Sequence, residues 1–225
     1  MIKTIVLLIL LNLVYGCSDK NISKQQKKEI KSEVIMEKLL NPAICNEKAP
    51  DYFKVKFITT KGDFVIEVQR EWAPLGVDRF YNLVKNGFYN NNAFFRVIKG
   101  FVAQFGISPY PEVSQKWLNA TIEDDPIKIS NERGTISFAT RGPNTRTTQL
   151  FINYSNNSRL DSMGFSPFGR VIDGIEVLDD LYSGYGEGEP YGKGPSQYKI
   201  ITEGNEYLKK NFPMIDYIKE TIIVE

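Results

Sequence analysis

Histidine is absent from the whole 225-residue chain. Its absence removes the commonest general base, the imidazole metal ligand and every Ser–His or Cys–His nucleophilic pair. Cysteine is scarce, with only Cys17 and Cys45 and no CxxC pair, so the sequence supports no disulfide framework. Neither charge sign is in excess: 28 basic side chains stand against 27 acidic ones. Without a basic surplus there is no electrostatic reason to bind nucleic acid. No internal repeat occurs. At 42% hydrophobic and 24% charged residues the chain can bury a core, and its length suits one domain with extensions.

The first sixteen residues, MIKTIVLLILLNLVYG, place one lysine before an apolar run at 5–14 that is interrupted at Asn12. The run is too short for a typical transmembrane helix and has the length of a signal-peptide core. Val14-Tyr15-Gly16-Cys17 resembles a bacterial lipobox. That resemblance implies a lipoprotein signal peptide at 1–16 and a lipidated Cys17. It also implies a lipid anchor to a membrane of the bacterial cell envelope, on its periplasmic or outer-membrane side. The other reading is an ordinary cleaved signal with an incidental cysteine. Residues 17–50 read as the lipidated cysteine and a charged, partly helical tether, in which Lys20, Lys24, Lys27, Lys28 and Lys31 mix with Glu29, Glu33 and Glu37, and Ile30, Val34 and Met36 to Leu40 give a weak helical stripe. Asn41-Pro42 ends any helix there, and Cys45 reads as a spare thiol of the linker.

From residue 51 the pattern changes. Phe53, Val55, Phe57 and Thr59 alternate with Lys54, Lys56 and Ile58, which predicts a half-buried strand. Lys61-Gly62-Asp63 is a turn, and Phe64, Ile66 and Val68 continue the alternation as the second arm of a hairpin. Ala73-Pro74 leads into GVDRFYNLVKNG, where Phe80, Leu83 and Val84 share a helical face and Gly87 is a stop signal. Short strands are expected at 94–98, 101–106, 134–139, 149–154 and 167–172. A helix is expected at 174–183, and one or two short helices over 204–220, broken at Pro213. Many short strands with few helices point to a barrel or sandwich.

Two segments carry a family resemblance. FFRVIKGFVAQFG (94–106) and GTISFATRGPNTRTTQLFINY (134–154) resemble the signature segments of the cyclophilins, in the family's order. The helix DRFYNLVKNGFY and the later LDSMGFSPFGRV (160–171) match its layout. The resemblance implies a mainly β fold over 51–203, a closed eight-stranded antiparallel barrel capped by two helices. It leaves 204–225 as a short helical C-terminal extension. It further implies a monomeric peptidyl-prolyl cis-trans isomerase that acts on proline-containing polypeptides with no cofactor or metal. Carried over by motif position, Arg96, Phe101 and Gln104 are the catalytic candidates. Ala139, Thr140, Gln149, Phe151, Leu160 and Phe165 are the substrate-binding candidates. The sequence departs from the family at several points. Arg159 stands where many members have the tryptophan associated with cyclosporin binding. A pocket histidine is missing, and Gly164 or Phe165 occupies its region. Gln104-Phe105-Gly106-Ile107 replaces the usual QGGD.

These residue types suit the chemistry. Rotation about an X-Pro bond faces a barrier of about 18–20 kcal/mol, and no covalent bond to the substrate need form. The protein must hold the twisted amide more tightly than either planar form. In the twisted amide the prolyl nitrogen regains a lone pair, and a permanently charged guanidinium such as Arg96 can donate to it. Phe101, Phe151 and Leu160 would cup the pyrrolidine ring, and Gln104 would orient the arginine or bind a substrate carbonyl. Backbone groups near Ala139 and Thr140 would hold the peptide as a sheet edge receives a strand. A peptide-binding or chaperone module on the same barrel is the second reading, and a lipoprotein adhesin or scaffold the third. GYGEGEPYGKG (184–194) has Glu187 where a phosphate loop needs glycine, so it reads as a flexible surface loop.

Overall fold

The computed structural model describes residues 33–224. The segment expected to be a signal peptide, Cys17 and the first part of the expected tether lie outside the described residues. The alternation after residue 51 becomes β1 (Tyr52–Thr59) and β2 (Asp63–Gln69), an antiparallel hairpin that sets Phe57 opposite Phe64. Their rings stack 4.6 Å apart. Helix α1 (Pro74–Lys85) follows, with proline in its first turn, where a missing N–H costs nothing. Its open amides at Leu75 and Gly76 donate to the Asp125 carboxylate at 3.0 and 2.8 Å. Val77, Phe80, Leu83 and Val84 bury its inner face, each contributing roughly 1.5–3 kcal/mol.

Short strands then alternate with turns. They are β3 (Asn92–Ala93), β4 (Arg96–Ile98), β5 (Val102–Phe105), β6 (Thr135–Phe138), β7 (Leu150–Asn153) and β8 (Pro167–Asp173). Helix α2 (Pro111–Trp117) lies between β5 and β6, and α3 (Ile175–Asp179) follows β8. Helices α4 (Gln197–Glu203) and α5 (Asn205–Asn211) precede β9 (Tyr217–Val224). All nine strands form one curled antiparallel sheet in the order β3-β9-β1-β2-β8-β6-β7-β5-β4. Phe57, Phe64, Phe80, Phe105 and Phe168 fill its interior with no exposed surface. Arg146 is buried beside this core at 3.0 Å from the Asp125 that caps α1.

Three expectations change. The sheet has nine strands and is open, where a closed eight-stranded barrel was expected. Its edges, β3 and β4, share no ladder and are joined by Phe94 and Phe95. The ninth strand comes from the segment expected to be a helical extension. Its β-branched run Thr221-Ile222-Ile223-Val224 favours a strand, and the outer edge of β1 offers unpaired backbone groups to it. The third change concerns the tether, whose second half belongs to the domain. Residues 35–39 are helical, and Leu39, Cys45 and Ala49 are buried. The Trp117 indole donates to the Leu39 carbonyl at 2.8 Å. The Asn82 amide accepts from the Glu47 N–H at 3.1 Å and donates to its carbonyl at 2.7 Å. Among the described residues no helix is long and apolar enough to cross a membrane.

Candidate active site

Strand alternation sorts side chains between the core and an outer face. On β5, Ala103 and Phe105 enter the core, while Val102 and Gln104 point the other way. On β7, Leu150 and Ile152 are core residues and Phe151 faces outward. The register pairs Arg96 with Gln104 and Gln104 with Phe151, so these three lie on one rung across β4, β5 and β7. One period-two pattern therefore builds both the core and the site.

Loops complete the wall. Gly100, at φ +73°, closes the β4–β5 turn that presents Phe101. The 3-10 helix Ser158–Met163 carries Leu160 and ends at Gly164, whose left-handed φ of +86° swings Phe165 back toward it. The Asp161 carboxylate fastens this helix, accepting from the Ser130 hydroxyl at 2.5 Å and from the Asn131 side chain at 2.7 Å. Phe151 and Phe165 meet edge to face with centroids 5.5 Å apart. Val102, Phe151 and Leu160 form an apolar cluster, and Phe101, Ala139 and Phe165 pack on it. The result is a solvent-open hollow of about 240 Å³ lined by Arg96, Phe101, Val102, Gln104, Ala139, Thr140, Phe151, Leu160, Met163 and Phe165.

Arg96 stands at the polar side of this hollow. Its Nη1 donates to Gln104 Oε1 at 3.1 Å, and Gln104 Nε2 donates to Gln149 Oε1 at 2.9 Å. Gln149 Nε2 donates in turn to Gln197 Oε1 at 3.1 Å. On its other side Arg96 donates from Nε and Nη2 to the Glu187 carboxylate, at 2.6 and 2.8 Å. That fork holds the Glu187 carboxyl below the usual carboxylate range, against a smaller opposing effect of burial. The Arg96 guanidinium also lies 5.5 Å from the Phe101 ring centre, and the Arg159 guanidinium lies 4.9 Å from the same ring.

Eight of the nine candidate residues from the sequence thus share one hollow. Gln149 lies beside it, lining an adjoining depression with Thr140, Arg141 and Gln197. One expectation needs correction: the Ala139 N–H is not offered to a peptide, because it donates to the Gln149 carbonyl at 2.9 Å. Sequence reasoning missed Val102, Met163, Glu187 and Gln197. Val102 was legible as the residue two before Gln104 on the same strand face. Glu187 had no local signal, being 91 residues from Arg96. The loop expected to be a flexible surface segment carries it inward.

The comparisons with known proteins agree with this geometry. Residues 54–205 match the family described as cyclophilin type peptidyl-prolyl cis-trans isomerase/CLD. Peptidyl-prolyl cis-trans isomerase B of Escherichia coli is 31% identical over 179 residues, covering 76% of this chain and 98% of its own. Peptidyl-prolyl cis-trans isomerase A of Dickeya dadantii is 34% identical over 163 residues, covering 69% of this chain and 85% of its own. A crystal structure of a Cryptosporidium parvum cyclophilin type peptidyl-prolyl cis-trans isomerase superposes with a TM-score of 0.58 at 27% identity, covering 77% of this chain and 98% of that one. A second structure of that protein, in the presence of the dipeptide Ala-Pro, gives 0.56 at 25% identity. The strand rung, the apolar hollow and these relatives lead to one conclusion: the chain belongs to the cyclophilin-type peptidyl-prolyl cis-trans isomerases.

Proposed function

We propose that the protein accelerates X-Pro rotation in exported polypeptides by gripping the twisted amide, with Arg96 as the donor to the prolyl nitrogen. The observation that carries this reading is the placement of the Arg96 guanidinium on the wall of an apolar hollow floored by Phe101, Phe151 and Leu160. The pyrrolidine ring seats among those side chains, and the peptide on the other side of the bond turns against it. A planar amide nitrogen accepts poorly, so the Arg96 contact strengthens only as the bond twists, which is the differential binding that lowers a barrier. A charge-assisted hydrogen bond contributes roughly 1.5–3 kcal/mol, a factor of about ten to 150 in rate. Anchoring of the ring and a fixed donor direction supply further acceleration.

Thr140 borders the same hollow and, with Gln149 in the adjoining depression, offers polar contacts to the peptide beside proline. The lipobox-like residues ending in Cys17 support placement at a membrane of the cell envelope, where clients would arrive as exported chains. The test is Arg96→Ala in an NMR exchange measurement on a short Ala-Pro peptide. The expected result is loss of most of the acceleration in a variant that still folds cooperatively. An equal rate for the variant and the parent would reject the Arg96 role. Intact-mass measurement of the membrane-extracted protein tests the anchor, and an unmodified Cys17 would remove it.

A further inference from the structure

The loop between α3 and α4 reaches the reaction centre. Its glycines are what let it do so. The Gly194 N–H donates to the Glu187 carbonyl at 2.8 Å, and Gly188 and Gly194 form a bridge that doubles the loop back on itself. A Cβ at Gly192 or Gly194 would run into the Glu187 carbonyl. The base of the loop is pinned by Tyr185, whose ring packs on Tyr182 and Phe212 with centroids 4.9 and 5.0 Å away. The Tyr185 hydroxyl accepts from the Met214 N–H at 3.2 Å. The backbone that carries Glu187 is therefore tied to the segment leading into β9.

From this support Glu187 meets Arg96 fork to fork, the strongest geometry available to the pair. Gln104 takes Nη1 from the opposite direction. The guanidinium plane is fixed on two sides, and one hydrogen on Nη1 and one on Nη2 stay unassigned. The Arg96 side chain is 19% exposed and that of Glu187 is 37% exposed, so the pair is reachable by a peptide. A long arginine side chain otherwise samples several rotamers, and each loses the direction of its donors.

We infer that Glu187 is a positioning residue for Arg96: it holds the guanidinium so that its remaining hydrogens point into the apolar hollow. This rests on the proposed role of Arg96 as donor. The segment after β8 thus takes part in catalysis without touching the bond that turns. Gln197, from the start of α4, supports the same arginine at two removes, through Gln149 and Gln104.

The test uses the full chain, and compares Glu187→Ala, Glu187→Gln and Glu187→Asp by NMR exchange and a saturation series on one Ala-Pro peptide. The expected result for Glu187→Ala is a fall in kcat of about tenfold to 100-fold with KM changed less than about twofold. Glu187→Asp should restore part of the loss, and Glu187→Gln, which keeps the side-chain shape for folding, should fall between. The Arg96 Nε–H resonance, assigned by its disappearance in Arg96→Lys, should be sharp and slow to exchange in the parent and lost in Glu187→Ala. A change confined to KM, a rate equal to the parent, or a faster variant would overturn the inference, the last by making the loop an obstruction. If Arg96→Ala itself keeps full activity, the proposed function fails. If Arg96→Ala is inactive and Glu187→Ala is unaltered, only this inference fails.

Discussion

Arg96 and Gln104 face each other across one rung of the β4–β5 ladder, and their side chains meet there at 3.1 Å. The direction of the Gln104 amide is set at both ends: its oxygen accepts from Arg96 and its nitrogen donates to Gln149. A flipped amide would set an NH₂ group against the guanidinium. Gln104 therefore acts on the arginine, and its Nε2 is already engaged before any peptide arrives.

Replacing Gln104 by leucine keeps the volume near that of glutamine but removes the acceptor for Nη1 and the link to Gln149. The loss leaves an Nη1 hydrogen of the part-exposed Arg96 without its acceptor and the guanidinium held by Glu187 alone. Expected is a kcat about ten times lower with a nearly constant KM, read by steady-state isomerisation of a proline peptide. A change in KM alone would assign Gln104 to substrate contact.

Asp125 and Arg146 form a buried ion pair, 1% and 2% exposed, and Asp125 also receives the first amides of α1. Asp125→Ala leaves the buried guanidinium with only the part-exposed Asp124 carboxylate, 3.3 Å from its Nε, and the helix start without its acceptor. A loss of about 3–5 kcal/mol is expected, measured by urea denaturation. Pairing it with Arg146→Leu should recover part of that loss, since the under-compensated buried charge is then gone.

Cys45 is packed against the core, and burial pushes its thiol above the usual range, with Lys38 and Arg79 pulling weakly the other way. The thiolate is the reactive form. In a chain lacking residues 1–17, Cys45 should resist a charged disulfide reagent at neutral pH and react fully in denaturant. Rapid labelling of the native protein would contradict the packed placement of residues 35–50.

Acid stability follows from three carboxyls. In Glu187 the Arg96 fork lowers the pKa. In Asp78 burial acts upward, but the Arg70 fork and the Ala49 amide outweigh it. In Asp161 burial again acts upward and is outweighed by Ser130 and Asn131. Each group binds its proton less tightly folded than unfolded. Their contribution is therefore complete above the ordinary carboxylate range, near about pH 4, and is lost as pH falls through the lower folded values. With no histidine in the chain, the melting temperature should be level from about pH 6 to 8 and drop below about pH 4. Thermal melts across that range check this, and a step near pH 6.5 would contradict it.

Much of the domain was legible. Alternation placed β1 and β2, because a period of two is a local property of the chain. The helical face of Phe80, Leu83 and Val84 was legible for the same reason. Arg96, Gln104 and Phe151, in contrast, were named by the family resemblance alone. What escaped was non-local. Strand β9 lies in a segment expected to be a helical extension; its β-branched run favours a strand, but the pairing that makes it one depends on the edge of β1, far away in the sequence. Residues 35–50 are charged enough to read as solvated, yet Leu39 and Cys45 find cover on α1 and α2. In sequence Glu187 reads only as the residue that spoils a phosphate loop, and its ion pair depends on a loop path that no spacing rule encodes.

The antiparallel ladder between β1 and β9 joins positions roughly 160 residues apart, such as Thr59 and Ile218. During synthesis the first strand must wait for almost the whole domain before its second neighbour exists. Until then it offers a bare, apolar border to any other nascent chain. A messenger broken before codon 217 should thus yield sticky, protease-sensitive material instead of a smaller working enzyme.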